Sequence, residues 1–162
     1  MSGTDPHWSE VPAEEALPEP TAASLSMPDA DLMPRPALGA IAQQLADVSP
    51  AWAAVVIDPD HAPTSSVATS LGRDRERGVE SIREGWLLHR AASRLAPAAS
   101  PDLALLVGDW CYAAGLCTIA DHGTLDDVAA LARLVADLSA RCDEPIDALQ
   151  GHWSETIAAM SS

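Results

Sequence analysis

From Leu103 to Gly123 the chain reads LALLVGDWCYAAGLCTIADHG, and Asp109 is the one charged residue between Leu103 and Ala120. A carboxylate buried in a helix costs several kcal/mol unless it is paired or hydrogen-bonded, so Asp109 is either structural glue or the remnant of a site. Cys111 and Cys117 lie on the same run, six residues apart. That spacing separates them by about 240° around a helix, so they cannot share a metal and read as buried, inert thiols. His89 and His122 have no partner at H-x-x-x-H spacing, the arrangement a zinc or iron site uses on one helix face. Two acidic pairs, Asp58/Asp60 and Asp126/Asp127, have the chemistry to hold Mg²⁺. The first sits in a proline loop and the second in a helix first turn, where the macrodipole favours Asp. The chain holds no G-x-S-x-G, no G-x-x-x-x-G-K-[ST] and no G-x-G-x-x-G, which removes the common hydrolase, P-loop and dinucleotide readings. No metal ligand set emerges.

Composition narrows the partners. The 162 residues are 48% apolar, enough for one domain with a modest core plus a tail. With 24 acidic residues against 9 arginines and no lysine, a formal charge of −15 leaves no run of cations to neutralise successive phosphates, so no nucleic-acid partner is expected. Three cysteines and no basic n-region followed by an apolar h-region fit a reduced, cytoplasmic protein. No transmembrane segment is expected either, because no apolar run approaches the roughly 18 residues of a span.

The elements that must position these side chains are helices. Residues 1–36 carry seven prolines, seven acids and one arginine without apolar period, and read as a disordered acidic tail. Residues 37–162 form the domain. Leu38, Ile41, Leu45 and Val48 give a short amphipathic helix ended by Ser49-Pro50, and Ala51–Ile57 reads equally as a helical turn or a strand. Asp58 to Gly72 is a loop. Arg73 to Ala96 reads as one helix of about six turns, with Val79, Ile82, Trp86, His89 and Ser93 on one stripe. Ser100-Pro101 is an N-cap with proline at the first helical position, and Gly123 is the stop of the helix that carries Asp109. Thr124-Leu125-Asp126-Asp127 resembles a capping box and opens a helix with Val128, Leu131, Ala132, Val135, Leu138 and Cys142 on one face. Pro145 opens the last helix, where Ile146, Leu149, Trp153, Ile157 and Met160 form a stripe. The class is all-α, a bundle of five or so helices.

The block Gly85-Trp86-Leu87-Leu88-His89-Arg90-Ala91-Ala92-Ser93-Arg94-Leu95, followed by Leu103-Ala104-Leu105-Leu106-Val107-Gly108-Asp109-Trp110-Cys111-Tyr112-Ala113, resembles the trans-polyprenyl diphosphate synthases. In that family a helix reading roughly E-L-L-H-x-A-S-L precedes one reading L-x-G-D-[YW]-L. The likeness covers about residues 75–145 and implies a truncated isoprenoid synthase fold, with His89, Gly108, Asp109, Trp110 and Tyr112 as family-motif, structural positions. Family enzymes follow the first helix with an aspartate-rich D-D-x-x-D motif that holds Mg²⁺, and carry a second such motif later. Here the connector reads Ala96-Pro97-Ala98-Ala99-Ser100-Pro101-Asp102, and the second motif is missing too. Diphosphate departure needs charge stabilisation from metals, Lys and Arg, so no catalytic residue is assigned and an active short prenyltransferase is the least favoured reading.

The resemblance is closest in character to the non-catalytic small subunits of heterodimeric hepta- or hexaprenyl diphosphate synthases. It implies a regulatory subunit that works with a catalytic partner, or with itself, needs no cofactor of its own and leaves Mg²⁺ to that partner. It also implies that Asp109 is a structural carboxylate, with Arg90 and Arg94 as candidate partners. An open apolar surface is then expected from the stripes of Trp86, Leu149, Trp153 and Ile157, the interface candidates. The rival is a stand-alone helical interaction module with no isoprenoid role.

Overall fold

A computed structural model describes residues 36–162; the tail expected over residues 1–36 lies, but for Pro36, outside the described residues. Among the described residues the chain is all-α, with six α-helices and no strand. Helix α1, Ala37–Val48, buries Leu38, Ile41 and Leu45, while Val48 at its end turns to solvent. Ser49 breaks it with an extended backbone, and its hydroxyl accepts from the Trp52 N–H. A capped start with proline at the first position makes Pro50–Ala53 a single turn, α2, which settles the choice between helical turn and strand.

Helix α3 runs Arg73–His89, not to Ala96. The apolar period continues past His89, but the backbone is taken by a tertiary partner. Buried Glu84 accepts the Ser93 hydroxyl at 2.6 Å and the N–H groups of Arg94 and Leu95 at 2.9 and 3.1 Å through Oε1. Ala91 turns the chain with a left-handed φ of 52°, an uncommon conformation outside glycine. The turn drops Leu95 and Ala96 into the core beside α1.

Helix α4, Pro101–His122, starts and stops where the sequence places it, capped by Ser100 and ended by Gly123. Helix α5, Leu125–Ala140, has the full capping box: the Asp127 N–H donates to Thr124 Oγ1 at 3.1 Å and the Thr124 N–H to Asp127 Oδ2 at 2.8 Å. Asp127 also accepts from Arg75 at 2.9 Å, tying the start of α5 to α3. Cys142, expected on the inner face of α5, lies past its end and is exposed, as is Ala132. After Pro145 a 3₁₀ turn, Ile146–Leu149, precedes α6, Gln150–Met160.

Two apolar clusters flank the α3–α4 pair. One joins α3, α5 and α6 around Ile82, Trp86, Leu131, Leu138, Leu149 and Trp153; the other joins α1 to Leu88, Leu95, Val107 and Cys111. The first corrects the open surface expected from the tryptophan stripes. Trp86 is 3% exposed and Trp153 0%, Leu149 and Ile157 are buried with them, and the two indoles meet at 5.9 Å between centroids. The stripes of α3 and α6 are complementary to each other. Such an aromatic pair adds about 0.5–1.5 kcal/mol beyond the burial of its area.

Candidate functional site

The site is built around α4, whose two sides are differently made. Toward α3, glycines seven residues apart on each helix face each other antiparallel, Gly78 with Gly115 and Gly85 with Gly108. A Cβ on Gly115 would stand 2.6 Å from the Gly78 carbonyl oxygen, and one on Gly85 2.8 Å from that of Gly108. Only glycine lets backbone approach backbone this closely. Between the pairs the Ser81 hydroxyl donates to the Cys111 carbonyl at 2.9 Å. Gly108 of the Gly-Asp-Trp triplet is therefore a packing residue.

Gly108 also explains its neighbours. The His89 ring lies over it, so close that a Cβ there would meet the imidazole at 2.5 Å. From that position His89 Nε2 reaches Asp109 Oδ1 at 3.2 Å, and its ring packs edge-on against Tyr112 with 5.3 Å between centroids. Asp109 is not buried: its side chain is 74% exposed. Neither expected arginine holds it. Arg90 donates to the Glu144 carbonyl and lies over the Trp86 ring at 5.7 Å, while Arg94 is committed to Glu80 and Glu84. The helix is apolar on both sides around Asp109, so hydropathy alone reads that acid as buried, whereas the core covers only the inner side. Trp110 is half-buried and meets Trp52 edge to face at 6.0 Å. Burial, then the Asp109 carboxylate and Cys111, push the Tyr112 phenol up to about 12.

Besides Asp127 of the capping box, the buried acids among the described residues are Glu80 and Glu84 on α3. Both are fully buried and balanced by two cations. Arg94 Nε donates to Glu84 Oε2 at 2.9 Å and its Nη1 stands 2.9 Å from Glu80 Oε2, with Arg83 Nη1 at 3.9 Å from the same oxygen. Burial, and behind it Arg94, lower the Arg83 pKa against the pull of the two glutamates. Glu80 Oε1 accepts the Val67 N–H at 2.7 Å. The cluster thereby fastens two connectors, the one before α3 and the one after it. Its sequence signal is the four-residue spacing of Glu80 and Glu84, in register with buried Leu88. Among the described residues no three His, Cys, Asp or Glu side chains come together as a metal ligand set.

The other side of α4 is open. Leu105, Leu106 and Leu116 are 52%, 61% and 38% exposed. Leu106, Asp109, Ala113, Leu116 and Ala120, all exposed, follow one another at alternating steps of three and four, the repeat of a helix-packing seam. At its start lies a half-open pocket of about 240 Å³ between the Ala91–Pro101 connector and α4, lined by Leu88, His89, Ala96, Pro97, Ala104 and Leu105 among others. By length and by the mean hydropathy of 1.6 over an 18-residue window, α4 is also apolar enough to cross a membrane, and 39% of that window is buried inside the domain. The glycine seam with α3 accounts for its inner side.

The chain matches no family model, no curated protein and no solved structure.

Proposed function

We propose that the domain is a non-catalytic helical subunit that supports long-chain prenyl diphosphate synthesis by pairing, along the outer side of α4, with a catalytic polyprenyl diphosphate synthase. The observation that carries the pairing is the row of exposed leucines on a rigidly held helix. A helix that is apolar all round belongs against a neighbour on each side, and α4 has one on its inner side. The resemblance of residues 75–145 to the synthases supplies the isoprenoid half of the reading. The tryptophan stripes are spent on the chain's own core, so the interface moves from them to Leu105, Leu106 and Leu116. In this reading the partner holds the Mg²⁺ and does the chemistry in the cytoplasm, while this chain contributes surface.

The test is co-expression with the catalytic prenyl synthase of the same genome, followed by size-exclusion chromatography and a product-length assay. Co-elution with a new or longer polyprenyl product is the expected result. Separate elution with unchanged products contradicts the reading and leaves the stand-alone interaction module.

A further inference from the structure

We infer that the outer side of α4 is shaped for a basic amphipathic helix of another polypeptide, which seats one large apolar side chain in the pocket beside Leu105 and sets a lysine or arginine against Asp109. The inference rests on the reading of that side as a docking surface and specifies what docks there.

Three features define the occupant. The steps of three and four along Leu106, Asp109, Ala113, Leu116 and Ala120 complement a second helix crossing at a shallow angle, whose own apolar row fills the gaps between them. The charged residues of α4 are all acids, Asp102, Asp109 and Asp121, and the described domain holds 17 acidic residues against 8 arginines. A second copy of this chain would bring that excess and another Asp109 to the same seam, so charge complementarity favours a cationic partner over self-pairing. His89 stands 3.2 Å from Asp109 but brings a full positive charge only when protonated. The pocket supplies the third feature: it is concave, walled by Leu88, Pro97, Ala104 and Leu105, and continuous with the leucine row through Leu105. Interfaces concentrate their binding energy where an apolar anchor fills such a pocket.

The probes are two synthetic helices with the same leucine row and one tryptophan anchor, flanked by lysines in one and by glutamates in the other. Both are titrated calorimetrically into the full chain at low and at physiological salt. The lysine helix is expected to bind at both, at least tenfold more tightly than the glutamate helix. Asp109→Asn, an exposed change that leaves the core alone, weakens it several-fold and flattens its salt dependence. Leu106→Gln with Leu116→Gln weakens it at least tenfold. Equal binding of the two helices, binding by neither, or full binding of the lysine helix to the double leucine variant overturns the inference. So does a dimer of the chain alone that those leucine changes dissociate, since the occupant is then a second copy. The two proposals fail separately. A prenyl synthase that co-elutes equally well with Asp109→Asn leaves the subunit reading standing and removes the cation. A lysine helix that binds as described beside a synthase that does not co-elute does the reverse.

Discussion

On the side turned to α3, helix α4 carries Gly108, Cys111 and Gly115, and atoms of α3, the His89 ring at Gly108 and the Gly78 carbonyl at Gly115, lie where a Cβ on either glycine would be. On the opposite side it carries Leu105, Leu106 and Leu116 in contact with solvent. Both sides are apolar, yet they do different work. Small residues let two backbones lock within the chain, whereas the large ones leave apolar area open to solvent. Side-chain size, more than hydropathy, separates the closed side from the open one.

The largest effect is expected where the closed region is tied together. Glu84→Ala removes the acceptor of Ser93, Arg94 and Leu95 and leaves Arg94 with one carboxylate, so it should lower unfolding free energy by about 3–5 kcal/mol in urea denaturation. A loss under about 1 kcal/mol, the scale of an exposed ion pair, breaks the view that this cluster fastens the turn.

Gly115→Ala comes next. Its methyl would press on the Gly78 carbonyl and on Ile82, and overpacking of this kind costs about 1–3 kcal/mol. Gly151→Ala is the control, because a Cβ there meets nothing and the change should stabilise α6 by about 0.5 kcal/mol. Equal behaviour of the two glycines by thermal denaturation would erase the distinction between a seam and ordinary helix surface.

The border between the two sides can be titrated. Tyr112 is the single tyrosine, and its ultraviolet ionisation should have a midpoint at about 12 rather than the ordinary 10.0. The folded chain holds that proton more tightly than the unfolded one, so this group's contribution is intact below pH 10 and is lost as pH rises from 10 to 12. Asp109→Asn should bring the midpoint down part of the way, burial and Cys111 supplying the rest. A midpoint that ignores Asp109 puts the carboxylate elsewhere than beside His89 and Tyr112.

The starts of α4 and α5 are legible in the sequence because such a start is a local device: Ser100-Pro101 and the Thr124–Asp127 box each carry their own hydrogen-bond acceptor, whereas Ser49-Pro50 reads only as the end of α1 although it also caps α2. The end of α3 was not legible, since the acceptor that pulls Arg94 and Leu95 out of the helix sits ten and eleven residues earlier on Glu84 and acts only after the chain folds back. Charge misled in both directions. Asp109, in an apolar run, reads as buried and is exposed, while Glu80 and Glu84, among charged residues, are marked only by their four-residue spacing with Leu88 and are fully covered. The stripes of Trp86 and Trp153 were visible as apolar rows, but that the two rows close on each other is a fact of topology.

The most direct measurement takes Leu106→Gln with Leu116→Gln and reads stability and pairing in the same preparation. Exposed positions change stability by no more than about 0.5 kcal/mol, so the isolated double variant should melt with the parent while co-elution with the catalytic prenyl synthase and its effect on product length are lost. A variant that pairs as well as the parent, or that unfolds as readily as Gly115→Ala, contradicts the assignment of the outer side of α4 to a partner.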